Sequence, residues 1–134
     1  ALKFAARRGV EVIIIMPHVP DKWYAFVLAK TYYNELLDAG VQIYEYTPGF
    51  VHGKVMLADD QSAVVGTVNM DYRSYYLHYE CGVWMYRTSC LKDIRRDFEE
   101  TFAVSHEVTL EECRDISIIR RFIRAFLNIV SPVM

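Results

Sequence analysis

Nowhere does the sequence hold an uninterrupted apolar run of the ~20 residues that a membrane-spanning helix needs, and no signal-peptide pattern stands at its start. A basic field is missing too: 15 Lys and Arg against 17 Asp and Glu give a formal net charge of −2, which argues against a nucleic-acid partner. Cysteine is scarce. Cys81, Cys90 and Cys113 form an odd set without metal-ligand spacing, which fits free or buried thiols of a reducing compartment rather than a disulfide framework. No internal repeat or low-complexity linker divides the chain. What is present suits one domain: 134 residues, 53% of them hydrophobic, enough for a core. The numbering starts inside what reads as a helix, without an initiator Met, so a piece of a longer protein is expected.

Helical and strand patterns alternate along the chain. Residues 2–9 read as the end of an amphipathic helix, with basic residues and Gly9 at its C-terminus. Residues 10–16 are almost wholly apolar and β-branched, as in a strand covered on both faces. Residues 22–39 predict a helix that Asp21 can cap and Gly40 can stop, its aromatics forming an apolar face. Residues 41–46 read as a more exposed strand and 79–86 as another. Between them, 71–76 read as a polar-aromatic connection with one helical turn. Residues 89–101 predict a helix with a solvated, mixed-charge face, and Thr109-Leu110-Glu111-Glu112 a further helix start. The order predicts an α/β sandwich.

The stretch that carries chemistry runs from His52 to Asn69. Residues 51–58 have strand composition between Pro48-Gly49 and Asp59-Asp60. Alternation on a strand turns His52 and Lys54 to one face and Asp59 to the other. Val64-Val65 reads as a second strand, ended by Gly66-Thr67-Val68-Asn69 in a turn that returns an amide to the same place. An imidazole, an ammonium and a carboxamide then converge on one small anion, at the C-terminal edge of the sheet: a phosphate site with a nucleophile in it. Thr67 adds a hydroxyl. Phosphoryl transfer from a diester needs a nucleophile, charge neutralisation and a proton for the leaving alkoxide, and histidine can supply the first or the last near neutral pH. By parity Asp59 has a structural task, holding the strand through turn bonds or a salt bridge. Glu80 is the expected partner for the second ring nitrogen of His52. Arg73 either binds a phosphate or pairs with Asp71. His18, in the loop after the first strand, is a further candidate for lining a site, against the commoner reading of a solvated loop histidine.

The spacing H-x-K-x4-D-x6-G-T-x-N resembles the HKD signature of the phospholipase D superfamily. Gly66 to Ser74, Leu77-His78-Tyr79-Glu80 and Glu45-Tyr46-Thr47-Pro48-Gly49-Phe50 resemble bacterial cardiolipin synthases in particular. Gly53 departs from the Ala or Ser usual in relatives; Gly adds flexibility beside the histidine. The resemblance implies a phospholipase D-like mixed sheet sandwiched between helices, with residues 1–105 as the HKD domain, lacking its first elements, and 106–134 as a C-terminal helical segment. It implies His52, Lys54, Asp59 and Glu80 as catalytic and Lys54, Thr67, Asn69 and Arg73 as phosphate-binding, with no metal and no cofactor. Two HKD copies face each other in such enzymes, one histidine forming a phosphohistidine and the other moving the proton. The chain looks like the C-terminal copy, which would make His52 the acid/base histidine, and the isolated copy is expected to have little activity. Phosphatidylglycerol and cardiolipin, the N-terminal HKD half or a second copy of this chain, and the membrane surface are the implied partners, with the bacterial cell membrane as location of the full-length protein. Other readings are a phospholipase D-type phosphodiesterase, a homodimeric nuclease, or an inert docking half-domain. Ile116, Ile119, Ile123, Phe126, Leu127 and Val130, interspersed with arginines, suggest a helix lying on a membrane surface or, equally, on the sheet.

Overall fold

Two glycines with left-handed backbone end the first two helices. In the computed structural model, which describes residues 1–114, Gly9 (φ 88°) follows α1 (Leu2–Arg7) and Gly40 (φ 91°) follows α2 (Trp23–Leu37). After α2 the Gly40 N–H donates to Leu37 O and the Val41 N–H to Leu36 O, the paired bonds of a Schellman ending. The start of α2 differs from expectation. Its cap is Lys22, with no side-chain hydrogen bond. Asp21 lies one residue too early for its carboxylate to serve the first free N–H groups.

Contacts divide the described chain into two units, one of Ala1–Val51 with the described residues from Val104 onward, the other of His52–Ala103. In the first unit β1 (Ile13–Pro17) runs parallel to β2 (Gln42–Tyr46), and β2 runs antiparallel to β6 (Ser105–Glu107). The strand expected to be the more exposed is therefore the central one. Val41, Ile43 and Glu45 are all buried, because α2 and its flanking residues cover that face of β2. Tyr33, Val41, Ile43, Val108 and Cys113 form the core, with Ile14, Met16, Leu36 and Leu37 packed against it. The chain runs through the expected boundary at residue 105 without a break: β6 completes this sheet, and Val108 and Cys113 join its core. Helix α4 (Leu110–Arg114) opens on a reciprocal cap. The Thr109 N–H donates to Glu112 Oε2 at 3.1 Å and the Glu112 N–H to Thr109 Oγ1 at 3.3 Å. The apolar stripe from Ile116 to Val130 lies outside the described residues.

The second unit is a meander of β3 (Val55–Ala58), β4 (Ser62–Gly66) and β5 (Gly82–Tyr86), antiparallel throughout. The α/β class is as expected, but the strands pair as two three-stranded sheets, one mixed and one antiparallel. The eight residues between β2 and β3 do not pair as strand, and Pro48 among them has no N–H to give a ladder. Helix α3 (Leu91–Ala103) lies against β3 and carries the expected charged outer face, with Arg95–Glu99 and Arg96–Asp93 both at 2.8 Å. Exposed pairs of this kind each contribute only about 0.3–0.5 kcal/mol.

Candidate active site

One open cleft of about 370 Å³ gathers residues from the approach to β3 and from the β4–β5 connection of the second unit. The approach to β3 brings His52 and Lys54. The end of β4 brings Gly66, and the following turn Thr67 and Asn69. A single π-helical turn, Arg73–Leu77, brings Arg73 and Ser74, and the approach to β5 brings His78 and Glu80. Regular strand begins only at Val55, yet the Gly66 N–H donates to Lys54 O at 3.1 Å. That bond extends the ladder by one residue, which keeps Lys54 in strand register. In an antiparallel meander no edge is C-terminal for all strands: the cleft lies at the end of β4 and the beginnings of β3 and β5.

Gly66 is required by a close approach. A Cβ there would stand 2.3 Å from the carbonyl oxygen of Cys81 and 2.7 Å from Gly82 Cα. The same proximity lets the Thr67 N–H donate to Cys81 O at 2.9 Å and the Cys81 N–H to Thr67 Oγ1 at 3.0 Å. Thr67 is thereby pinned with its hydroxyl donating to Glu80 Oε2. The Gly66→Ala variant should lose about 1–3 kcal/mol of stability through overpacking, and Glu80 should lose its Thr67 bond. Chemical denaturation and the amide spectrum of residues 66–82 check both, and a variant with wild-type stability would contradict the close approach.

Glu80 is held from several sides. The Thr67 hydroxyl first, then Ser74 and the charge of His78, hold its carboxyl below the usual carboxylate range, against the opposite effect of burial. Ser74 is buried, and its hydroxyl also accepts from the Asn69 N–H at 3.1 Å. Its own N–H donates to Asp71 Oδ1 at 2.7 Å. The turn that carries Asn69 is thus fastened to the π-turn, and Asp71 serves that turn's backbone.

Of the residues singled out in the sequence, the cleft brings together His52, Lys54, Thr67, Asn69, Arg73 and Glu80. Asp59 is not among its lining residues. It occupies the β3–β4 hairpin turn with Asp60, at φ 51° and 53°, where the Gln61 N–H donates to Ala58 O at 3.0 Å. Positive φ at both central positions is the type I′ requirement, and short polar side chains tolerate it better than most. His78 stands beside Glu80, with Nδ1 3.5 Å from Oε1. Lys54 Nζ donates to the carbonyl oxygen of His52 at 2.7 Å, which brings the ammonium to the histidine's backbone. His18 has its partner in the first unit, with Nδ1 2.9 Å from Glu45 Oε2.

Sequence reasoning missed Ser74 and His78. The spacing His78-x-Glu80 held the signal for one of them, since extended backbone turns alternate side chains the same way. At Gly53 an added Cβ would meet nothing within 4 Å, and its φ is not in the left-handed region. Gly53→Ala should therefore stabilise the chain by about 0.4–1 kcal/mol, through the lower entropy of the unfolded state. A lower melting temperature for this variant would show that the backbone freedom of glycine is used here.

Residues 1–102 match the family model described as cardiolipin synthase, PLD-like domain. An uncharacterized protein of Streptococcus mutans is 54% identical over all of this chain, which covers 29% of that protein. Cardiolipin synthase 2 of Bacillus anthracis is 38% identical over all of this chain and 26% of its own length. A cardiolipin synthase of Halalkalibacterium halodurans is 37% identical over all of this chain and 27% of its own length. The chain thus spans just over a quarter of these curated relatives. Among solved structures, Nuc of Salmonella typhimurium, a phospholipase D family member, superposes with a TM-score of 0.68 over 79% of this chain and 69% of Nuc. At 17% identity that likeness speaks for the fold.

Proposed function

The chain belongs to the family of cardiolipin synthase phospholipase D-like domains, and from that premise we propose that it is one HKD half of a cardiolipin synthase. A phosphatidyl group would pass from one phosphatidylglycerol to the free hydroxyl of a second, releasing glycerol. The observation that supports this reading is the meeting of His52, Lys54, Thr67, Asn69 and Arg73 in one cleft. A diester phosphate carries one negative charge and two non-bridging oxygens. Lys54 and Arg73 offer cationic donors, and Asn69 and Thr67 neutral ones, within one opening. Lys54 Nζ has three hydrogens and spends one on His52 O, so two remain for phosphate oxygens. His52 is one of the two histidines of the reaction. In the first step a histidine nitrogen bonds to phosphorus as the phosphorus–oxygen bond to glycerol breaks and the other histidine gives the alkoxide its proton. In the second step the acceptor hydroxyl gives its proton to that other histidine, and its oxygen bonds to phosphorus as the nitrogen–phosphorus bond breaks.

The other half of the enzyme, or a second copy of this chain, would face the cleft. Tyr75, Tyr76, Leu77, Tyr79, Val83 and Trp84 are all exposed in this chain, and a facing half would cover such a surface. Among the described residues no helix is long and apolar enough to cross a membrane, and the proposed place of the full-length protein is the bacterial membrane, where its lipid substrates lie. The deciding experiment gives the full-length protein vesicles of phosphatidylglycerol and identifies the products. Cardiolipin with equimolar glycerol supports the synthase. Phosphatidic acid alone would replace it with the hydrolytic reading.

A further inference from the structure

Lys54 begins one face of the antiparallel meander. The ladder sets Lys54 beside Gly66 and Gly66 beside Gly82. By alternation the next row on that face is Met56, Val64 and Trp84, and the row after it Ala58, Ser62 and Tyr86. This face is open: Met56 is 53% exposed, Trp84 68% and Tyr86 50%. Apart from Val65 and Val83 near the cleft end, the opposite face is covered. Ala63 is buried there, its cross-strand neighbours Leu57 and Met85 are half-buried, and Cys90 Sγ stands 3.5 Å from Met85 Sδ.

Exposed apolar side chains scattered singly mean little, but these are contiguous. The Trp84 and Tyr86 rings stack, with centroids 5.8 Å apart. Met56 and Trp84 flank the half-buried Val64 at two strand spacings, about 10 Å apart, so the face forms a shallow trough with Val64 as its floor. Toward Lys54 the two glycines leave the backbone bare. An added Cβ at Gly82 would stand 3.5 Å from Val64 Cγ1, which places that position at the mouth of the trough. At the far end the Arg87 guanidinium lies 5.1 Å from the Tyr86 ring. Four residues of strand, from Lys54 to Ala58, span about 14 Å.

Resting on the phosphodiester reading above, we propose that this trough holds an acyl chain of the phospholipid whose phosphate sits at Lys54. The pattern along the face is that of the amphiphile: cationic Lys54 and Arg73 in the cleft, bare backbone at Gly66 and Gly82, then an apolar strip. The lipid's glycerol backbone crosses the two glycines, and one chain runs over Val64 between Met56 and Trp84 toward Tyr86. Of these side chains only Trp84 belongs to the surface that a facing half would cover. Met56 and Tyr86 need another occupant, and an alkyl chain continuous with the bound phosphate supplies it. The trough thus selects a lipid diester over a water-soluble one.

The full-length protein is assayed for glycerol release from dibutanoyl and dihexanoyl phosphatidylglycerol, both kept at concentrations where they dissolve as monomers, so that vesicle binding plays no part. Two further methylenes on the chain in the trough should raise wild-type kcat/KM by about 10-fold, since burying one is worth about 4-fold. Met56→Ser and Trp84→Ser should each lower that ratio to about 3-fold or less, through the dihexanoyl lipid, and leave the dibutanoyl lipid within about 2-fold of wild type. Val83→Ser is the control: Val83 is as exposed as its neighbour but faces the other side of the sheet, and its ratio should equal that of wild type. A wild-type ratio near unity, equal losses on both lipids (the result for a face seated against protein), or a ratio lowered as much by Val83→Ser would each overturn the trough while glycerol release upholds the phosphodiester reading. No glycerol from either lipid would remove that reading and the trough with it.

Discussion

Cardiolipin formation should fall by about 1,000-fold when His52 is replaced by Ala in the full-length protein, with vesicle binding unchanged. The size is the middle of the 10²–10⁴ range that a positioned proton-transfer group contributes, about 4 kcal/mol of transition-state stabilisation. The loss should lie in kcat, because Lys54, Asn69 and Arg73 remain to hold the phosphate in the cleft. A rise in KM alone would mean that His52 only helps to bind the lipid. Asp59→Asn is the matched control. Asp59 stands in a hairpin turn and not in the cleft lining, and Asn accepts positive φ at least as well as Asp. Its activity should stay within about 3-fold of wild type by the turn argument. An Asp59→Asn variant as inactive as His52→Ala would sink the assignment of structural and chemical roles within the motif.

The cleft was legible because its residues are local. His52 and Lys54 lie just before β3, and Thr67 and Asn69 just after β4, two strands joined by a short turn, so alternation and turn chemistry suffice to bring them together. Asp59 followed from the same parity, although its backbone conformation did not. His78 was harder, since the strand read from the sequence began one residue after it, at Tyr79, and in the structure the pairing of β5 begins only at Gly82. The larger failure concerned β2. Read along its own length, Val41-Gln42-Ile43-Tyr44-Glu45-Tyr46 alternates with a glutamate on the apolar side, which suggests an exposed strand. What buries Glu45 is distant in sequence: Lys30 and Tyr33 on α2 and His18 after β1. Whether an acid can sit inside depends on partners that periodicity along one strand does not reveal. The division into two sheets is of the same kind, since pairing between strands is a non-local property.

Glu45→Ala should destabilise the first unit by about 3 kcal/mol, read by urea denaturation at pH 7. The carboxylate side chain is only 4% exposed and takes three donors: Lys30 Nζ at 2.9 Å, His18 Nδ1 at 2.9 Å and the Tyr33 hydroxyl at 3.2 Å. Removing it leaves the buried Tyr33 hydroxyl without that acceptor and takes from Lys30 the Glu45 counter-charge, leaving it the faces of the Phe26 and Tyr33 rings, 4.4 and 6.0 Å away. Such orphaned groups cost more than the pair itself contributes. His18 and Lys30 retain some contact with water, which keeps the expected loss at the low end of the buried-pair range of about 3–5 kcal/mol. Burial alone would raise the Glu45 pKa, but the bonds from Lys30 and His18 outweigh it and the net direction is down. A carboxyl lowered in the folded state stabilises the fold above its unfolded pKa, about 4.3, and that contribution is lost as pH falls through the lower folded value. The gap in stability between wild type and Glu45→Gln should accordingly be full at pH 7 and shrink below about pH 4. A gap that widens in acid, or a Glu45→Ala loss below about 0.5 kcal/mol, the size of an ordinary surface substitution, would show that the three donors do not act through this carboxylate.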